Sequence, residues 1–161
     1  MSDSAIIKLA DVEEFRDCIF QLAKQAKKQI VIFTPDLEPE LYDSRFFLEP
    51  ALALIKRSRY TRIRILALET KYLTAQNHPV LKLFRQSDEQ VQLKKFSADP
   101  ASENAAYFIC DDHSIVRRQN YNLYEGMCYT DDRARVKDQL EDFNLLWNTA
   151  YTDPNLRQLT L

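Results

Sequence analysis

Four carboxylates, Asp36, Glu38, Glu40 and Asp43, fall within eight residues directly after the apolar run Ile30, Val31, Ile32, Phe33. Carboxylates this close can hold a divalent cation through oxygen ligands or divide acid and base roles. With Pro35 before them and Pro39 among them they also describe a solvated connector. Only two histidines are present. His78 precedes Pro79 at an expected helix start, where it can cap or pack, act as a base near neutral pH, or offer one metal ligand. His113 sits beside Asp111 and Asp112 in an expected turn and should be exposed. No second histidine lies at helical spacing, so no histidine-rich metal centre is expected.

Two groups of cations stand out. Lys56, Arg57, Arg59, Arg62 and Arg64 place five positive charges in nine residues around Tyr60, a composition that can meet phosphates. The same run fits a helix C-terminus followed by a strand whose arginines cover its outward face. Arg117 and Arg118 precede Asn120, Tyr121, Tyr124 and Glu125. Arg118 can pair with Asp36 or Asp43 across a cleft, or grip a phosphate or carboxylate with two parallel hydrogen bonds. A buried ion pair filling that cleft is the other reading.

The elements that must position these groups are legible from patterning. A chain of 161 residues with 45% apolar and 29% charged residues predicts one domain over 1–161, with its core at about 11–150 and a tail at 151–161. Over residues 11–28, Asp11 and Glu14 stand in capping-box relation. Val12, Phe15, Ile19, Leu22 and Ala26 recur at helical spacing there. A continuous β-branched run over 29–34 follows as a buried central strand. A helix is expected to begin near Pro50. Strands are expected at 61–68 and 91–96, a short helix at 79–86 and a polar loop at 97–103. A hairpin over 105–117 turns at Asp111, Asp112 and His113. A strand at 126–130 and a helix with the stripe Val136, Leu140, Phe143, Trp147 complete the order. It predicts an α/β fold: a mixed β-sheet flanked by helices on both faces.

Composition excludes several chemistries. Gly126 is the only glycine, whereas phosphate loops, dinucleotide fingerprints and nucleophile elbows need several close together. Cys18, Cys110 and Cys128 form no CxxC pair, which argues against a disulfide framework or structural zinc. No cofactor is expected. No run of about 18 apolar residues suggests a membrane span, and the expectation is a cytoplasmic protein. A net charge of −2 argues against a nucleic-acid partner.

The order of elements, with Phe143-x-x-x-Trp147 closing the last helix, resembles one half of the phospholipase D superfamily. The words Phe33-Thr34-Pro35-Asp36-Leu37-Glu38-Pro39, Tyr42-Asp43, Asn77-His78 and Phe108-Ile109-Cys110-Asp111-Asp112 are similar to an uncharacterised bacterial domain family of divergent phospholipase D-like proteins. The superfamily carries a His-x-Lys-x-x-x-x-Asp motif on the hairpin strand. If Asp111 takes the motif's aspartate, Asn104 occupies the histidine position and Ala106 the lysine position. Taking Asp112 instead gives Ala105 and Tyr107. The Gly-Ser-x-Asn-like turn reads Arg117-Arg118-Gln119-Asn120. The histidine is the family's nucleophile and the lysine neutralises phosphate charge, so without them its phosphodiesterase mechanism is not expected. The resemblance also implies pairing of two halves, hence a homodimer.

Together these readings predict a phospholipase D-like module without catalytic residues, binding an anionic small molecule or a protein partner. Its site is expected in a cleft between Asp36, Asp43, His78 and Arg118. The alternatives are a divergent hydrolase using carboxylates and His78, and a nucleic-acid binder using the cations at 56–64.

Overall fold

The computed structural model describes residues 4–42, 45–96 and 104–156. The chain opens with an edge strand that patterning does not foretell, β1 (Ala5–Leu9), whose first four side chains are exposed. Helix α1 (Val12–Gln25) follows, capped by Asp11, whose carboxylate accepts the Glu14 N–H at 2.8 Å. Strand β2 (Gln29–Thr34) is buried along almost its whole length. The expected connector after it contains a one-turn helix, α2 (Pro39–Tyr42).

Helix α3 (Arg45–Arg57) starts five residues before Pro50. Phe47, Ala51 and Leu54 share one buried stripe. Burying a large apolar side chain stabilises by about 1.5–3 kcal/mol, enough to offset the one hydrogen bond that Pro50 cannot donate. Next come β3 (Arg62–Ala67), the short α4 (Lys71–Ala75), which patterning also misses, α5 (Val80–Gln86) and β4 (Val91–Lys95). The expected polar loop at 97–103 lies outside the described residues. The hairpin β5 (Ala106–Cys110) and β6 (Ser114–Arg118) leads to β7 (Gly126–Thr130) and α6 (Arg133–Thr149).

The seven strands form one mixed sheet in the order β1-β7-β6-β5-β2-β3-β4. Strands β2, β3 and β4 run parallel, and the other pairs are antiparallel. Alternation along β2 divides the core. Ile30 and Ile32 join the side chains of α1, α3 and α5, whereas Val31 and Phe33 join Val136, Phe143 and Trp147 of α6. Helices therefore cover both faces.

One local expectation is corrected here. Arg64 does not face outward: it is half-buried under α6, 5.1 Å from the Phe143 ring centre, and donates to Asn144 at 2.8 Å. Cys128 lies against Cys18 of α1, and β6 stands between its strand and β5, which carries Cys110. Residues 151–156 pack onto the body, with Tyr151 bridging Lys95 and Leu156 fully buried. Gly126 is explained by close approach: a Cβ there would run into the Arg117 carbonyl and come within 3.1 Å of the Phe15 ring.

Candidate functional site

The C-terminal ends of β2 and β6 and the start of β5 meet at one end of the sheet, since Phe33 pairs with Tyr107 and Ala106 with Arg118. This is where a ligand would be sought in such a sheet. The loop leaving β2 is tightly held there. Leu37 adopts a left-handed conformation, φ 58°, and its side chain is fully buried. A branched residue is strained in that region. Its N–H donates to Thr34 Oγ1 at 3.0 Å, and its carbonyl accepts from His78 Nε2 at 3.1 Å.

That turn swings Glu38 inward beneath Arg118. Arg118 Nη1 donates to Glu38 Oε2 at 2.9 Å, and Nη2 donates to Oε1. The Tyr124 hydroxyl donates to Oε2 at 2.7 Å, and the Arg118 guanidinium lies 4.7 Å from the Tyr124 ring centre. Arg118 is 2% exposed and Glu38 9%. Burial works against the guanidinium charge, but the Glu38 hydrogen bonds and charge outweigh it and raise its pKa. Burial, then the charge of Glu38, pushes the Tyr42 hydroxyl up. Burial and the hydrogen bond to Glu38 push Tyr124 up as well. Both phenols stay neutral. The two terminal nitrogens of Arg118 are thus engaged within the chain, and Glu38, not Asp36, is the partner.

Asp36 is half-buried beside this pair. Its Oδ1 finds no hydrogen-bond partner among the described residues. Burial and the charges of Glu38 and Glu40 raise its pKa. Asp43 lies outside the described residues. His78 is 2% exposed. The Val80 N–H donates to its Nδ1 at 3.1 Å, so that nitrogen carries no proton and Nε2 is the donor to Leu37. His78 therefore ties α5 to the loop after β2 through main-chain groups.

Ala106 sits opposite Arg118 in the ladder, on the same face. The cavity between Ala106, Arg118, Glu38 and Tyr42 measures about 10 Å³, room for about one water. Asn104 precedes β5, and its carbonyl accepts the Tyr121 N–H at 2.8 Å. The cluster of polar residues after β6 is divided. Arg118 and Tyr124 turn inward, whereas Arg117, Asn120 and Glu125 line an open groove of about 860 Å³ on the α6 side.

Asp111 works at the opposite end of β5. It holds a left-handed φ of 53°. Its Oδ1 accepts the N–H groups of Lys28 at 2.8 Å, Gln29 at 3.0 Å and Lys27 at 3.2 Å, and Oδ2 accepts Lys27 at 3.0 Å. His113 is half-buried rather than exposed, with Nε2 3.6 Å from Asp111 Oδ2. Ligating atoms of Cys110, Asp111 and His113 lie within 4.8 Å of one another. The Cys110 thiol donates to the Leu22 carbonyl at 3.2 Å, and burial, with the Asp111 charge, pushes its pKa up to about 12. A metal needs the thiolate.

Comparison with solved structures places this architecture among phospholipase D folds. The chain is similar to Nuc, a phospholipase D family member from Salmonella typhimurium, with a TM-score of 0.68 and 13% identity over 92% of this chain and 97% of that one. It is similar to NucT from Helicobacter pylori, with a TM-score of 0.63 and 12% identity over 95% and 100%. It also matches TrmBL2, an archaeal chromatin protein described with a novel mode of DNA binding, with a TM-score of 0.68 and 14% identity over 92% of this chain. There it spans about half of the other protein, 54%. At these identities the likeness is one of fold. No curated protein matches the chain. Residues 11–159 match the family described as Domain of unknown function (DUF7931), and the chain belongs to that family. No helix among the described residues is long and apolar enough to cross a membrane.

The sequence lists Glu38 among the acids but does not mark it as the partner of Arg118. One signal was available: Pro39 is well suited to the first position of a helix, which makes Glu38 the residue before it. Main-chain bonds from Leu41 and Tyr42 to the Glu38 carbonyl bear out that geometry.

Proposed function

We propose that this chain is a phospholipase D-fold domain that works by binding a ligand or a protein partner, without phosphodiester hydrolysis. The observation that carries the reading is the buried Arg118–Glu38 pair, closed over by Tyr124, in the space above Ala106. A phosphodiester needs an open pocket, a nucleophile and a cation free to meet the developing charge. In this chain the residues at the histidine and lysine positions are Asn104 and Ala106, which supply neither group. The cation that stands there, Arg118, is neutralised by Glu38. The rival, a divergent hydrolase using His78, draws little support, because both ring nitrogens are engaged by main-chain groups in a buried site.

The test is turnover of a chromogenic phosphodiester by the purified protein, with and without divalent metal, beside an Asp36→Ala/His78→Ala variant. Turnover at the uncatalysed background in both samples is expected. Turnover above background that the double variant abolishes would overturn the reading and assign the hydrolysis to these two residues.

A further inference from the structure

The end of the sheet remote from Arg118 carries a concentration of positive charge that the sequence scatters over two separate runs. Strands β2 and β3 are parallel and adjacent, so the residues preceding them meet: the Arg62 N–H donates to the Lys28 carbonyl at 3.1 Å. The last turns of α1 and α3 end on the same side and bring Lys24 and Arg57. Lys24, Lys27, Lys28, Arg57 and Arg133, all exposed, line one open groove of about 580 Å³. Two acids share it. Asp112 is spent on Arg133 at 2.7 Å, and Asp111 is buried with its carboxylate facing the N–H groups of residues 27–29. Glu49 borders an adjoining groove, and Asp88 and Glu89 precede β4, two strands away from Lys28.

Lys56 and Arg59, both exposed, and the half-buried Arg62 extend the basic surface beyond Arg57. Between them Tyr60 is 71% exposed, with the Arg59 guanidinium 4.9 Å from its ring centre. An exposed aromatic ring at the same end of the sheet as a cationic groove offers what a single-stranded nucleic acid needs: cations that follow the phosphates and a face on which a base can stack. The net charge of −2 had argued against such a partner for the chain as a whole. The fold sorts that charge, and this end is strongly cationic.

We infer that the groove between Lys24, Lys28 and Arg57 binds the phosphodiester backbone of single-stranded nucleic acid, with Tyr60 as a stacking platform. The inference does not depend on the pocket around Arg118, which lies at the other end of β2.

The test is fluorescence anisotropy with a labelled single-stranded oligonucleotide over a salt series. Four neutralised phosphates give a log–log salt slope of about −3 for a single strand. Lys24→Ala/Lys28→Ala/Arg57→Ala should weaken binding by roughly tenfold or more and flatten the slope by about 2. Tyr60→Ala should weaken it several-fold and leave the slope unchanged. Lys82→Ala/Lys137→Ala, which removes exposed cations elsewhere, should change nothing, and all variants should keep the wild-type melting temperature. Absence of binding at low salt would overturn the inference. So would an equal loss in the Lys82/Lys137 variant, or binding to anionic vesicles but not to the oligonucleotide.

Discussion

Replacing Arg118 by alanine should cost about 3–5 kcal/mol of stability, the range for breaking a buried ion pair from one side. The loss comes mainly from what remains. Glu38 would keep a carboxylate in a site 9% exposed, with only the Tyr124 hydroxyl left to it among the contacts seen here. The double variant Arg118→Met/Glu38→Leu removes both charges and refills the space with apolar atoms. It should lie within about 2 kcal/mol of wild type, since such exchanges are often neutral or stabilising. Tyr124 then loses its acceptor, which accounts for about 1 kcal/mol of that. Urea denaturation of the single and double variants measures both values. Equal destabilisation of the two would mean that packing, not charge compensation, holds this end together.

Asp111→Ala should be comparably damaging, by about 3 kcal/mol, for a different reason. One carboxylate gathers the N–H groups of three successive residues as the chain turns from α1 into β2, and each net hydrogen bond contributes about 1 kcal/mol. Alanine also tolerates the left-handed φ of 53° poorly. Asp111→Asn keeps one acceptor oxygen and a side chain at ease in that conformation, so it should lose about half as much. The same denaturation series checks this. If Asn and Ala were equally harmful, the negative charge itself would be the essential feature. The position that the resemblance assigns to the motif's aspartate thus does structural work at the end of the sheet away from the pocket.

Much of the framework was legible because its signals are local. Asp11 caps α1, the run at 29–34 forms β2, the turn at Asp111 closes the hairpin, and Val136, Phe143 and Trp147 point α6 into the core. Features that depend on distant partners were not legible. β1 pairs with β7 some 120 residues away and leaves Ile6 and Ile7 exposed at 67% and 45%, so no alternation marks it. The start of α3 was hidden because Pro50 reads as a beginning, whereas the buried stripe extends back to Phe47. The choice of Glu38 over Asp36 turns on one backbone rotation at Leu37, which the burial of its own side chain, its N–H bond to Thr34 and the bond its carbonyl accepts from His78 enforce. The basic groove escaped for the same reason, since only the parallel pairing of β2 with β3 brings the lysines at 24–28 to the cations at 56–62.

The closed state of the pocket is tested most directly on the Arg118 guanidinium itself, by side-chain ¹⁵N spectroscopy of the native protein. Its signal is identified by its absence from Arg118→Met/Glu38→Leu. A guanidinium 3% exposed at its side chain and doubly bonded to a carboxylate should exchange its Nε and Nη protons slowly with water. Its resonances should stay unmoved as inorganic phosphate is added into the millimolar range. Fast exchange, with resonances that shift and saturate as phosphate is added, would show an open anion pocket at Arg118 and contradict the account.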